Sequence, residues 1–278
     1  MKKSFALIRI IRPLNFLITF SSIFVAGIIC STQSLNLRLI ILAAFSGSLV
    51  GSGGNVINDI VDVKIDKINR PDRPLPSGEV SEAEAFLFYI LLNAAAIALT
   101  FSLNTLSTII VLLSIIIVFL YSYQLKKIPL AGNLSVAFMT GLAFIYGGVA
   151  VGNAGAAVIP SIFAFLINLI REIIKDIEDL EGDIKNAVFS YPAKYGIDAA
   201  FRIITILTSL LLLFTLVPFI FKLYRIEYFI IVMLTVNTGL VYFLSKLAGN
   251  HSKAEVSKES FLLKVYMIFG LIAIYFGN

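Results

Sequence analysis

The chain has 278 residues, 59% of them apolar and 14% charged, against about 25% charged in ordinary soluble proteins. A mean hydropathy of +0.95 excludes a water-soluble globule and requires helices or a closed barrel, because hydrocarbon offers no partner to an unpaired backbone group. The net charge of +5 is the excess Lys and Arg by which polytopic membrane proteins fix their topology, so nucleic acid is not an expected partner.

Met1-Lys2-Lys3 leads into an apolar run at 14–30, which is long for a signal-peptide core and is followed by eight further runs. It therefore reads as a retained first span. The others fall at about 39–57, 85–101, 106–123, 130–150, 156–175, 201–221, 226–247 and 261–277, each near the 20 or so residues that cross roughly 30 Å of hydrocarbon. The expected fold is an all-α membrane protein with nine transmembrane helices. Connectors 102–105 and 151–155 are short, which predicts antiparallel neighbours; 58–84, 177–200 and 248–260 are long and polar. Cys30, the single cysteine, cannot make an internal disulfide, and His251, the single histidine, reads as a solvated loop residue.

With the N-terminus in the cytoplasm, nineteen Lys and Arg residues fall on the cytoplasmic side and only Arg38, Lys222 and Arg225 on the other. That bias predicts a multi-pass cell-membrane protein with a cytoplasmic N-terminus. All acids except Glu227 share the cytoplasmic side. Acids contribute little to orientation, so their clustering calls for chemistry.

Asp59, Asp62 and Asp66 follow the second span; Asp176, Asp179 and Asp183 follow the sixth with the same spacings of 3 and 4. Each pair is 117 residues apart, an offset that also aligns Asn55 with Glu172. The organisation expected is one domain, 1–278, made of two four-helix pseudo-repeats, about 1–125 and about 126–250, plus a last helix at about 260–278. Positions i, i+3 and i+7 lie within about 60° of one helix face, so each trio of carboxylates converges and needs a counter-charge. Mg²⁺ suits it, being held by one or two carboxylates together with substrate phosphate oxygens. The reading is a diphosphate bridged by Mg²⁺ to two facing clusters.

The stretch from Lys67 to Gly78 contains Pro71, Pro74 and Pro76 and is expected to be a stiff, extended strap that cannot continue a helix. It carries Arg70 and Arg73, whose guanidinium forks suit phosphate oxygens, though they serve equally as topology residues or partners of the acids. Tyr121, Tyr123, Lys126 and Lys127 close the fourth span. Lys126 is a candidate to neutralise a departing diphosphate, and the others are substrate contacts or interfacial anchors. Arg12 and Asn15 open the first span and need polar partners at that depth, a phosphate being one. Arg171 and Lys175, just ahead of the second acidic stretch, complete the candidate substrate-binding set with Asn55.

Asn58-Asp59-x-x-Asp62-x-x-x-Asp66 with Arg70-Pro71-Asp72-Arg73-Pro74-Leu75-Pro76-Ser77-Gly78, and Asp176-x-x-Asp179-x-x-x-Asp183, resemble the two signatures of the UbiA superfamily of intramembrane prenyltransferases. The resemblance spans nearly the whole chain. It implies a ring of helices around a central cavity open to lipid, with Mg²⁺ held by Asn58, Asp62 and Asp66 in one half and by Asp176, Asp179 and Asp183 in the other. Asp59 is included among the candidate metal ligands, and Asp62, Asp66, Asp179, Asp183 and Lys126 form the candidate catalytic set. The Asn69-Arg70 wording is similar to the archaeal branch that makes digeranylgeranylglyceryl phosphate. The implied substrates are geranylgeranyl diphosphate and the hydroxyl of geranylgeranylglyceryl phosphate, joined as an ether in archaeal lipid biosynthesis. Prenylation of an aromatic quinone precursor such as 4-hydroxybenzoate would use the same metal motifs. A cation-coupled secondary transporter is the alternative of another class, but its site would be expected near the midplane on broken helices. A CDP-alcohol phosphotransferase would carry Asp-Gly and Ala-Arg elements that this chain lacks.

Overall fold

The computed structural model describes residues 2–31, 35–185, 190–247 and 253–278; His251 and its immediate neighbours lie outside the described residues. Among these, the regular structure is helical, and nine helices are long and apolar enough to cross a bilayer. They run Pro13–Cys30, Leu37–Val61, Glu82–Thr100, Thr105–Tyr123, Ala131–Ala150, Ala154–Glu178, Ile197–Ile220, Ile226–Lys246 and Val256–Gly277. Every expected span is present, with ends moved by little more than a turn. Large side chains such as Leu112, Leu113, Ile116, Leu210 and Leu213 are exposed along them, the surface a hydrocarbon solvent calls for. The chain is thus a multi-pass membrane protein.

Two compact units are distinguished: Met1–Leu125 with Ala143–Ala157, and Lys126–Leu142 with Val158–Asn278.

The first unit begins with a short helix, α1 (Lys2–Ile10), and the first span, α2 (Pro13–Cys30). They break at Arg12, whose φ of 54° is left-handed. Pro13 then occupies the first position of α2, where its missing N–H is no loss. The second span, α3 (Leu37–Val61), is capped by Asn36, whose side chain accepts from the Leu39 N–H at 3.3 Å. A short helix, α4 (Val63–Asn69), follows it directly. Ser81 and Glu84 form a reciprocal capping box at the start of α5 (Glu82–Thr100), satisfying two otherwise orphaned N–H groups. In α6 (Thr105–Tyr123) the cap is Asn104, which also donates to the Val149 carbonyl at 2.9 Å.

Ala6 and Ile10 of α1 pack with Val56 and Ile57 of α3, Leu75 and Val80 of the strap, and Tyr89 and Leu92 of α5. This one apolar cluster pins the strap to the spans. Helix α7 (Ala131–Ala150) approaches α2 so closely at Gly147 that a Cβ there would lie 2.7 Å from that of Ala26. The tight turn before α8 (Ala154–Glu178) uses Gly152 at φ 76°, a conformation open to glycine at little cost.

In the second unit α8 is followed by α9 (Leu180–Lys185), α10 (Tyr191–Tyr195) and α11 (Ile197–Phe214), which α12 (Val217–Ile220) extends to complete the seventh span. The eighth span joins α13 (Ile226–Ile231), a π-helical turn at Val232–Asn237, and α14 (Thr238–Leu247); α15 (Lys253–Gly277) is the ninth. Polar groups buried here satisfy one another. The Tyr228 hydroxyl donates to the Thr215 carbonyl at 2.8 Å, and the Thr215 hydroxyl donates to Asn237 Oδ1 at 2.9 Å.

The strap departs from expectation. Rather than extending, it winds into successive turns, the Arg73 N–H bonding the Arg70 carbonyl at 3.1 Å and the Ser77 N–H the Arg73 carbonyl at 3.0 Å. Proline stops the helix after Asn69, but its fixed φ is equally suited to turns, and burial of Leu75 and Val80 draws the segment inward.

Candidate active site

Both acidic stretches, expected beyond the spans, begin inside them. On the first, Asn58 and Asp59 belong to the last turn of α3, and Asp62 stands at its junction with α4. On the second, Asp176 belongs to the last turn of α8 and Asp179 stands at its junction with α9. The backbone treats the two alike: Asp62 and Asp66 N–H groups bond the Asn58 and Asp62 carbonyls at 2.9 and 2.8 Å, and Asp179 and Asp183 bond Lys175 and Asp179, both at 2.9 Å. Helical hydrogen bonding therefore runs through each junction, keeping side chains at spacings of 3 and 4 on one side.

Their surroundings differ. In the first stretch Asp59 is 3% exposed. Its Oδ1 accepts from Arg12 Nη2 at 2.5 Å and from Arg73 Nη1 at 3.2 Å. Arg73 Nη1 also donates to Oδ2 of the buried Asp66 at 2.5 Å. Asn58 Nδ2 donates to Asp62 Oδ2 at 3.1 Å. Asn55 Nδ2 donates to the Ile11 carbonyl at 3.0 Å, with Asn15 Nδ2 at 3.5 Å from Asn55 Oδ1, so both asparagines sit at the break between α1 and α2. The strap is tied down by Arg9, which donates to the Asp72 carbonyl at 2.7 Å and to Glu79 at 3.2 Å. Arg70 is exposed and makes no ion pair with the acids among the described residues. Tyr121 is half-buried, while the exposed Tyr123 stacks on Phe119 with centroids 5.7 Å apart.

In the second stretch the half-buried Asp176 accepts from Asn133 Nδ2 at 2.9 Å. Asp179 is exposed. Partial burial pushes the Asp183 carboxyl above the ordinary carboxylate range, and the Asp179 charge pushes the same way. Arg171 and Lys175 both turn to Glu172, at 2.8 and 3.1 Å. Lys126 is half-buried and Lys127 exposed, within a short 3-10 turn.

Among the described residues, no three His, Cys, Asp or Glu side chains gather into a cage that could hold a metal ion. The donors are hard oxygens grouped on single helix faces, and Mg²⁺ commonly keeps its waters and takes only one or two carboxylates, substrate phosphate supplying the rest. Asn58 with Asp62, and one or two of Asp176, Asp179 and Asp183, have the donor chemistry for an ion completed in that way. Asp59 does not, because a carboxylate oxygen already shared by two guanidinium groups is poorly available to a cation. Asn133 and Glu172 escaped the reading of candidates from sequence. The 117-residue offset pairs Asn55 with Glu172, which was the available signal; Asn133 had none, its contact depending on the packing of α7 against α8.

A family model described as the UbiA prenyltransferase family matches residues 19–267. The digeranylgeranylglyceryl phosphate synthase of Methanosphaera stadtmanae is 34% identical across 97% of this chain and 98% of its own. A solved digeranylgeranylglyceryl phosphate synthase is 33% identical and superposes with a TM-score of 0.90, covering 100% of this chain and 99% of that one. A UbiA homologue from Archaeoglobus fulgidus, solved with GPP and Mg²⁺, shares the fold at a TM-score of 0.70 and 18% identity, over 97% and 99% of the two chains. With its paired acidic stretches at equivalent helix junctions, the chain belongs to the UbiA prenyltransferase family.

Proposed function

We propose that this protein transfers the geranylgeranyl group of geranylgeranyl diphosphate to the hydroxyl of geranylgeranylglyceryl phosphate, forming an ether with release of diphosphate. The observation that carries the reading is end-to-end kinship, in sequence and in fold, with digeranylgeranylglyceryl phosphate synthases, together with a donor set suited to Mg²⁺ and diphosphate.

Asn58, Asp62 and Asp66, and likewise Asp176, Asp179 and Asp183, are the residues proposed to hold Mg²⁺ and the diphosphate of the prenyl donor. When bound, the metal neutralises charge that develops on the leaving group as the allylic C–O bond breaks. Arg12, Arg70 and Arg73 supply guanidinium donors to the diphosphate oxygens, with Lys126 and Lys127 adding point charge. Tyr121 and Tyr123 contact the substrate, as do Arg171 and Lys175 once Glu172 shares them. The acceptor oxygen attacks the allylic carbon and loses its proton, for which a neighbouring carboxylate or the substrate's phosphate oxygen suffices, because a cation-like electrophile needs no strong base. Apolar helices exclude water that would otherwise capture the same carbon. The active face and the N-terminus are assigned to the cytoplasm by the Lys and Arg distribution.

The test supplies purified protein with radiolabelled geranylgeranyl diphosphate and either geranylgeranylglyceryl phosphate or 4-hydroxybenzoate, with and without EDTA. Ether product only with the glyceryl phosphate, abolished by EDTA and restored by Mg²⁺, is expected. Product only with the aromatic acceptor would overturn the substrate assignment.

A further inference from the structure

Asp59 sits in the last turn of α3, 3% exposed, and its Oδ1 joins three separate segments. Arg12 reaches it from the start of α2 at 2.5 Å and Arg73 from the strap at 3.2 Å, while Arg73 also holds Asp66 of α4 at 2.5 Å. Arg12 does so from a left-handed backbone, φ 54° and ψ 79°, which residues other than glycine adopt rarely and only where the surroundings over-determine it. These bonds engage one terminal nitrogen of each arginine, whereas a guanidinium carries five N–H donors in a rigid fork. The two side chains keep 33% and 20% of their surface, so each remains open to a second anionic partner. A cation bound to Asp59 would lie beside both guanidinium groups, whose like charge disfavours it at these distances.

We infer that Asp59 is a positioning residue: it aims the Arg12 and Arg73 guanidinium groups at the diphosphate of the prenyl donor and takes no part in holding metal. This rests on the prenyl-transfer reading above. It separates two neighbouring aspartates of one motif, Asp59 serving the arginines and Asp62 the metal.

The full-length protein, purified in detergent, is assayed in two ways. Inorganic pyrophosphate binding is measured calorimetrically at saturating Mg²⁺, and the Mg²⁺ concentration giving half-maximal prenyl transfer is measured separately. Asp59→Asn should weaken pyrophosphate binding about tenfold, as expected for charge-assisted hydrogen bonds lost from misaimed donors. The KM for geranylgeranyl diphosphate should rise in parallel and the Mg²⁺ requirement stay at its natural value. Asp62→Asn should instead raise the Mg²⁺ requirement. An Asp59→Asn protein that demands more Mg²⁺, or that binds pyrophosphate as well as the natural protein, overturns the inference. Asp59→Glu keeps the buried charge and guards against misfolding of the first variant. Its displaced carboxylate should lower pyrophosphate affinity several-fold at an unchanged Mg²⁺ requirement, and undiminished affinity refutes the positioning role. If the natural protein itself neither binds pyrophosphate with Mg²⁺ nor consumes geranylgeranyl diphosphate, the prenyl-transfer reading falls, and this inference with it.

Discussion

Asp62 and Asp179 stand at the same kind of place, where a long spanning helix passes into a short one with its hydrogen bonding uninterrupted, yet the side chains around them have diverged. On the first stretch, Arg73 cross-links Asp59 and Asp66, and Arg12 joins it on Asp59. On the second, the amide of Asn133 meets Asp176, and the nearby cations are drawn to Glu172. Two junctions with matching backbone hydrogen bonds thus carry unlike electrostatic environments, the first with arginine counter-charge on its aspartates and the second with its nearby cations on Glu172. Under the prenyl-transfer proposal, the first stretch sets guanidinium donors for the anion beside Asn58 and Asp62, which serve the metal, while the second offers its carboxylates to metal.

The largest expected effect tests what the stretches share. Asp62→Ala and Asp179→Ala should each lower turnover about a thousandfold, the scale of losing several kcal/mol of metal-assisted charge stabilisation. A variant of either that retains natural turnover breaks the equivalence of the junctions. Asn133→Ala sharpens the contrast: removing an outer partner of a metal-binding carboxylate commonly costs about 10- to 100-fold in metal affinity or activity. Here the loss should appear as a raised Mg²⁺ requirement, measured by metal titration of initial rates, with the KM for the prenyl donor little altered. Arg9→Ala loosens the strap from α1 and should raise that KM by about two- to fivefold, as befits exposed contacts worth at most about 1 kcal/mol. Limited proteolysis between residues 70 and 80 would detect the loosened strap directly. Smallest for activity is Tyr228→Phe, whose hydroxyl donates to the Thr215 carbonyl and to neither acidic stretch. Deleting its hydroxyl should destabilise the folded protein by about 1 kcal/mol in thermal unfolding and leave the rate unchanged.

Nine spans were legible in the sequence because length and apolarity alone define them, and the 117-residue offset marked the junction aspartates. The connection at 58–84 was less legible. Proline announced where the helix stops, but the turns of the strap depend on Leu75 and Val80 entering an apolar cluster built from α1, α3 and α5. The role of Asp59 was hidden for a related reason: within its own motif it looks like the other aspartates, and only the arrival of Arg12 from 47 residues away distinguishes it. Sequence pattern reports what a residue is and how often it recurs, whereas the partner of a buried charge is decided by which segments pack beside it.

Helix α1 contributes nothing to the crossing of the bilayer, yet Ala6, Ile10 and Arg9 hold the strap in place. Translation started just beyond Ile10 would therefore yield a polypeptide that inserts with every crossing intact but handles its donor poorly. Expression level and membrane fractionation would not distinguish that product from a sound one, and a bulky fusion partner placed directly ahead of Phe5 invites the same silent defect.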